Sequence, residues 1–148
     1  VVADGLSMLF PGIPAISGVK RMINNSSTLE ESLKIGIRPY SEMKKLTIPS
    51  GWERHHIYEK RFIPALLKYG PTEGNMLAIA LPKTTHHQAI TNKMRDIYGY
   101  NGQYNLLLSS EVLEMHRRGY RELYLETGDP VWEFLYEYTK ASSQVNVR

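Results

Sequence analysis

The chain has 148 residues, which is enough for one domain with a modest core, and 42% of them are hydrophobic, as in a folded protein. It contains no cysteine, so disulfides, thiolate metal sites and cysteine nucleophiles are excluded. The formal net charge is +3, with seven Lys and Arg against four acids in residues 51–104 and five against seven in residues 105–148. A basic middle segment favours an anionic partner, although an ordinary solvated surface accounts for the charge equally well.

The first segment, residues 1–27, contains several glycines and prolines, which predicts a connector made of a short helical turn or two and irregular chain. Residues 28–148 are then expected to form one domain. Its first helix is predicted over Leu29–Ile35. Pro39, at a first helical position, predicts a second short helix that ends near Leu46.

The pattern changes over residues 51–98, where two short strands and a helix are predicted. The first strand covers Trp52–Ile57, and the second is the apolar run Asn75–Leu81. A helix of about 14 residues follows the second strand, and Thr84 or Thr85 is expected to cap it.

Two further helices are predicted over residues 109–141. Gly128 is expected to end the first, and Asp129 followed by Pro130 is expected to open the second. The tail from Ser142 is polar and predicted to fray. No stretch approaches the ~20 apolar residues of a membrane span. The sequence therefore predicts an α+β fold that is mainly helical, with two short strands and a helix inside a helical frame.

Four of the five histidines form two pairs, His55-His56 and His86-His87, with Asn75 between them. Imidazole both exchanges a proton near neutral pH and binds divalent metals. Phosphodiester hydrolysis needs a base for the attacking water and positive charge on the phosphate. Two histidine pairs on a strand end and a helix start therefore predict a metal-assisted acid–base site.

The second pair is expected to contribute one histidine to the interior. His87, Ile90, Met94 and Ile97 recur at helical spacing and share one face of the predicted helix. We therefore expect His87, rather than His86, to lie in the site at the first turn of that helix.

The order of these motifs resembles that of the HNH, or ββα-metal, nucleases. The resemblance covers roughly residues 51–100. More specifically, the segment resembles a bacterial polymorphic-toxin group of the HNH/endonuclease VII superfamily. Three motifs carry it: His-His-Ile-Tyr-Glu-Lys-Arg-Phe (55–62), Leu-Pro-Lys-Thr-Thr-His-His-Gln (81–88) and Thr-Asn-Lys-Met-Arg (91–95).

The resemblance implies a ββα-metal motif and a role for each matching residue. His55 and His87 would be metal ligands, His56 the general base, and Asn75 the residue that holds the loop between the strands. Further candidate ligands are His86, Glu59 and Asn92. Candidate nucleic-acid contacts are Arg54, Lys60, Arg61, Lys83, Lys93 and Arg95.

Many HNH enzymes have a third ligand four residues after the helix histidine, where this chain has Thr91. A site with two protein ligands suits a hard ion that keeps its waters, so Mg²⁺ is the expected metal, with Zn²⁺, Mn²⁺ and Ni²⁺ as alternatives. The resemblance further implies a nuclease toxin that is secreted or delivered from a bacterium and acts in the cytoplasm of a target cell. A cognate immunity protein, expected to be acidic, would be its partner, and residues 1–27 would resemble a pre-toxin linker.

Three functions remain open from the sequence. The first is a metal-dependent DNase, which a chelator would inactivate. The second is an RNase toxin that cuts with paired histidines and no metal. The third is a non-catalytic helical interaction module that a structural Zn²⁺ stabilises, in which metal removal would melt the fold.

Overall fold

The computed structural model of the protein describes residues 16–66, 72–99 and 107–141. Helices dominate these ranges around a small antiparallel sheet, which confirms the predicted α+β, mainly helical class. The predictions for residues 1–15 and for the tail from Ser142 lie outside the described residues. Within the described ranges, no helix combines the length and the apolar character that crossing a membrane requires.

Two helices open the described chain, α1 at Val19–Asn24 and α2 at Ser27–Ile35. The Oγ of Ser26 accepts a hydrogen bond from the backbone N–H of Leu29 at 3.0 Å, which satisfies one of the donors at the start of α2. Because Ser26 is the cap, α2 begins two residues earlier than the sequence predicts.

The sheet has three strands in the order β1–β3–β2: β1 at Arg38–Pro39, β2 at Trp52–His56 and β3 at Leu77–Pro82. Both pairings are antiparallel, and β2 pairs with β3 so that His55 lies opposite Ile79. The two-residue β1 is absent from the sequence prediction. Its pairing with β3 depends on residues about 40 positions away, which local patterns do not encode.

A short helix follows Pro39, as the sequence predicts, but it ends at Met43 rather than near Leu46. Pro39 pairs in β1, and a single helical turn, α3 at Tyr40–Met43, follows it. The backbone N–H of Tyr40 donates to the carbonyl of Met76 at 2.8 Å, which joins α3 to the sheet. This contact brings Tyr40 beside the end of β2.

The connection from β3 to the next helix is a π-helical turn at Lys83–His87, after which α5 runs over Gln88–Tyr98. No side chain caps this turn, so the predicted cap by Thr84 or Thr85 is wrong. Pro82 ends β3 and is the residue from which the turn starts. A π-helical turn contains one residue more than an α-helical turn and is often found at functional sites.

Between β2 and β3 lie a 3₁₀ turn at Lys60–Phe62 and the short α4 at Ile63–Leu66. Two long helices complete the frame, α6 at Ser109–Thr127 and α7 at Pro130–Ala141. Their junction agrees with the prediction.

At that junction, Gly128 adopts the left-handed conformation with φ of 69°, which ends α6. The carboxylate of Asp129 accepts from the backbone N–H of Val131 at 2.9 Å, which caps α7.

Helix α6 is the central element behind the sheet, because it packs against α4, α5 and α7. Its contact with α5 is close at Gly119. A Cβ added there would lie 2.9 Å from the sulfur of Met94 and 3.4 Å from Cδ1 of Ile90. The buried residues around this helix include Phe62, Val112, Leu113, Tyr120, Leu123, Trp132, Phe134 and Leu135.

We expect Gly119→Leu to lower the free energy of unfolding by about 1–3 kcal/mol, because overpacking forces α5 away from α6. Arg121→Leu is the matched control, since Arg121 is exposed on the same helix and the change should stay within about 0.5 kcal/mol. Urea denaturation of both variants measures the difference. Equal midpoints would contradict close packing at Gly119.

Candidate functional site

A cavity of about 230 Å³ lies where β2 ends and α5 begins. The end of β2 contributes two histidines, and the π-helical turn contributes a third. The 3₁₀ turn and one face of α5 add charged groups. The lining residues are His55, His56, Glu59, Lys60, Arg61, His87, Thr91 and Arg95.

His55 is buried, with 2% of its surface exposed. Its Nε2 lies 2.7 Å from the hydroxyl of Tyr120, and that hydroxyl donates to the carbonyl of Ile57 at 2.6 Å. Burial is the main cause that holds the pKa of His55 well below its usual value, and the charge of the neighbouring His87 is the second. The ring is therefore neutral at physiological pH, as a metal ligand requires.

His56 follows His55 at the end of the strand, is half-buried and lines the same cavity. Its ring stacks on Tyr40, with centroids 4.4 Å apart and planes at 24°. Burial lowers its pKa, and the charge and backbone of Glu73 oppose this effect only in part. A neutral imidazole has one nitrogen that accepts a proton, so His56 is ready to act as a base near pH 7.

Asn75 lies in the turn that leads into β3, outside the lining of the cavity. Its Oδ1 accepts from the backbone N–H of Thr72 at 2.7 Å, and its own N–H donates to Thr72 Oγ1 at 3.3 Å. These bonds close the turn that contains Glu73, which contacts His56. Asn75 thus shapes a loop beside His56.

His87 is the residue of the second pair that reaches the cavity. Its ring centroid lies 5.3 Å from that of His55, at an interplanar angle of 71°. Two imidazoles that bind one tetrahedral metal ion would have centroids about 5.4 Å apart for metal–nitrogen distances near 2.1 Å. The separation of the two rings equals that expected for a shared ion, and it is also that of an ordinary edge-to-face ring contact. Burial lowers the pKa of His87, which keeps it neutral.

A larger ligand set does not assemble in the described ranges, where no group of three or more His, Asp or Glu side chains is arranged to hold a metal ion. Thr91, one turn after His87, lines the cavity in the position of a third ligand. A hydroxyl is a weak ligand for borderline metals, so the imidazoles of His55 and His87 are the donors that this part of the cavity could offer to an ion. Such a set suits an ion that keeps water or phosphate oxygens as its remaining ligands.

Positive charge surrounds the histidines. Lys60, Arg61 and Arg95 line the cavity together with one acid, Glu59. Arg61 forms an ion pair with Glu59 at 2.9 Å. Burial raises the pKa of Glu59, although the charge and hydrogen bond of Arg61 oppose that rise. Lys60 forms an ion pair with Glu73 at 3.3 Å. Three cations therefore face two acids around the cavity, and this excess of one positive charge favours an anionic ligand.

Behind the cavity lies the fifth histidine of the chain, His116, which is fully buried. Its Nδ1 lies 2.8 Å from the carbonyl of Val112, and its Nε2 accepts from the backbone N–H of Glu59 at 3.0 Å. Because a carbonyl only accepts, Nδ1 carries the proton and the ring is neutral. Burial lowers its pKa to about 4.

Two candidate ligands lie away from the cavity. His86 Nε2 lies 2.8 Å from the carboxylate of Asp129, and its ring packs near Trp132. This bond ties the π-helical turn to the start of α7. Asn92 is exposed and accepts from the side chain of Gln88 at 2.9 Å.

Three candidate nucleic-acid contacts also lie outside the cavity lining. Arg54 donates to the carbonyls of Met43 at 3.0 Å and Leu46 at 2.6 Å, so it supports the loop before β2. Lys93 forms ion pairs with acids of α6. Lys83 is exposed on the π-helical turn, and its charge contributes to the lowered pKa of His87.

Sequence reasoning missed Tyr120 and His116 as partners of the site, although they are four residues apart and so share one face of a helix. No protein-family model, curated protein or solved structure matches this chain.

Proposed function

We propose that this protein hydrolyses phosphodiester bonds of nucleic acid in the histidine cavity, with DNA as its substrate. One observation carries the proposal: three neutral histidines and three cationic side chains meet in a single cavity of about 230 Å³. Acid–base groups beside positive charge are what phosphodiester cleavage requires. The resemblance of the same segment to ββα-metal nucleases also supports the proposal.

In this proposal His56 is the general base. It lines the cavity, and its lowered pKa keeps it unprotonated near pH 7, so it can take a proton from the attacking water. The stack on Tyr40 limits rotation of the ring. A base that is held in place avoids the entropic cost of orientation in the transition state.

The cations would bind the scissile phosphate. Lys60, Arg61 and Arg95 surround the space beside the base, and guanidinium groups match phosphate oxygens in a two-point contact. Their charge would stabilise the negative charge that develops on the phosphate. The ion pair with Glu59 orients Arg61 for this contact.

His55 and His87 would hold the divalent metal, with Mg²⁺ expected and Zn²⁺, Mn²⁺ or Ni²⁺ as alternatives. The separation of their rings supports a shared ion. When bound, such an ion supplies positive charge for the leaving oxygen and orients the phosphate. The protein contributes the two neutral imidazoles and the dry wall behind His55.

The biological setting follows from the resemblance. We propose a ββα-metal nuclease domain that serves as a bacterial toxin, delivered into the cytoplasm of a target cell. An acidic immunity protein would then be expected to cover the cationic rim. That rim is formed by Lys60, Arg61 and Arg95.

A metal-independent RNase is the second candidate. One observation favours it: within the described residues, no group of three or more His, Asp or Glu side chains is arranged to hold a metal ion. His56 would then take the proton of the attacking 2′-hydroxyl, which DNA lacks, and return it to the leaving 5′-oxygen, because the lowered pKa of His87 disfavours the protonated form that an acid needs. EDTA distinguishes the two candidates, because it would stop the metal-dependent DNase and spare the RNase.

We expect His87→Ala to reduce plasmid cleavage by about 10- to 100-fold through weaker metal binding. His86→Ala is the matched control, since it changes the neighbouring histidine, which lies outside the cavity. It should keep cleavage and lose about 1 kcal/mol of stability with its bond to Asp129. The experiment measures how fast each variant cleaves plasmid DNA and total RNA, with Mg²⁺, Mn²⁺, Zn²⁺ or EDTA in separate reactions.

Equal loss of cleavage in the two variants would contradict the assignment of His87 to the site. RNA cleavage that survives EDTA would replace the DNase with the RNase. If neither nucleic acid is cut and the protein binds one tight Zn²⁺ whose removal melts the fold, the cavity is a structural metal site.

A further inference from the structure

The side chain of Tyr120 connects His55, a candidate metal ligand, to the backbone just after the end of β2, the strand that contains His55. The phenolic hydroxyl lies 2.7 Å from His55 Nε2 and 2.6 Å from the carbonyl of Ile57. Tyr120 and His55 are both buried, at 0% and 2% exposure. Two consecutive hydrogen bonds therefore join His55, Tyr120 and the carbonyl of Ile57 behind the cavity.

The direction of these hydrogen bonds follows from counting protons. The carbonyl of Ile57 only accepts, so the single proton of Tyr120 points to it. The oxygen of Tyr120 is then an acceptor toward His55, and Nε2 of His55 must carry a proton. In the neutral ring this leaves Nδ1 as the nitrogen with a lone pair.

We propose that Tyr120 is a positioning residue that fixes the tautomer of His55, so that Nδ1 is the atom that binds the metal ion. The inference rests on the proposed function for the ion, but the tautomer itself is a property of the protein alone. Metal-bound histidines commonly have such a partner on their second nitrogen. Here the partner is a tyrosine 65 residues away in the chain.

The opposite tautomer is unfavourable in this environment. If Nδ1 carried the proton, Nε2 and the oxygen of Tyr120 would face each other with lone pairs. Alternatively, the hydroxyl of Tyr120 would turn to donate to Nε2, and the carbonyl of Ile57 would lose its hydrogen bond. Both arrangements leave a buried polar group without a partner, which destabilises the fold.

A second residue of α6 holds the other end of the same segment. His116, one turn before Tyr120, accepts the backbone N–H of Glu59 at 3.0 Å. Hydrogen bonds from one face of α6 therefore reach His55, Ile57 and Glu59 in succession. Because the backbone of this segment is held at Ile57 and Glu59, the orientation of the His55 ring depends on its hydrogen bond to Tyr120.

The test is nitrogen NMR of the full chain labelled at histidine, without metal or nucleic acid. In the wild type we expect His55 to give a protonated-type signal for Nε2 and an unprotonated-type signal for Nδ1. Tyr120→Phe should shift both signals toward a mixture of tautomers. Tyr58→Phe is the matched control, because Tyr58 is buried and its hydroxyl has no hydrogen-bond partner within the described ranges.

Titration with Ni²⁺ alone gives a second readout. We expect the affinity of Tyr120→Phe to be about 10- to 100-fold weaker than that of Tyr58→Phe. A proton on Nδ1 of wild-type His55 would overturn the proposal even if Tyr120→Phe did not fold. Unchanged signals and affinity in Tyr120→Phe would also overturn it. A correct tautomer and Ni²⁺ response in a protein that cuts no nucleic acid would instead contradict the proposed function alone.

Discussion

His56→Ala is expected to reduce cleavage of nucleic acid by about 10²- to 10⁴-fold, the contribution of a positioned general base. The folded state should persist, because His56 is only half-buried and ends its strand. Initial rates of plasmid cleavage, with thermal unfolding of the same preparation, measure both quantities. Added imidazole should restore part of the rate if the missing group is a base.

The variant His56→Gln sharpens this test. It keeps a polar side chain of similar reach beside Glu73 and Tyr40, but it has no nitrogen that takes up a proton near pH 7. We expect it to be as inactive as His56→Ala. Retention of wild-type cleavage in His56→Gln would contradict the assignment of the base, and a large loss of stability in both would favour a structural role for His56.

Acid is expected to destabilise the fold between about pH 6.5 and pH 4 through His116. Its pKa is about 4 in the folded protein and returns to its usual value near 6.5 on unfolding. The unfolded chain therefore binds more protons in this interval, so stability is fully present above pH 6.5 and falls as the pH falls. The loss from His116 is about 3 kcal/mol at pH 4.

Urea denaturation at pH 7.5, 6, 5 and 4 measures this dependence, and His116→Gln is the matched variant. Glutamine can donate to Val112 and accept from Glu59, but it does not titrate. The buried His55 contributes in the same direction, so some pH dependence should remain in the variant. Identical pH profiles for the two proteins would contradict the buried, neutral His116.

Local sequence signals were sufficient for the junction between α6 and α7. Glycine adopts the left-handed conformation without a steric penalty, and an aspartate side chain caps the following helix, so Gly128 and Asp129 mark that boundary by their own chemistry. The paired strand β1 and the π-helical turn were missed. Both depend on β3, since β1 exists by pairing with it and the turn starts from its end.

The histidines of the cavity were accessible to sequence reasoning because strand and helix periodicity place them. His87 shares a face with the buried Ile90 and Met94, and it lines the cavity with His55. The partners that fix His55 and Glu59 were not accessible, since Tyr120 and His116 come from a helix that contacts them only through the tertiary fold.

Charge was also a poor guide to individual contacts. Arg54 and Lys93 belong to the basic segment, yet they bind backbone carbonyls and the acids of α6 respectively. A cationic side chain has the same appearance in a sequence whether its partner is internal or external. Only the positions of the acceptors in the fold separate the two cases.

The π-helical turn at Lys83–His87 makes chain length at this point as critical as residue type. An α-helix advances about 100° per residue, so one residue removed from the turn would rotate His87 away from His55 by about that angle if β3 stayed in register. If His87 instead kept its place beside His55, the deletion would move Ile90 and Met94 away from their contact with Gly119. We therefore expect related chains that keep this cavity to vary in loop length elsewhere, while insertions and deletions between Pro82 and Gln88 are not tolerated.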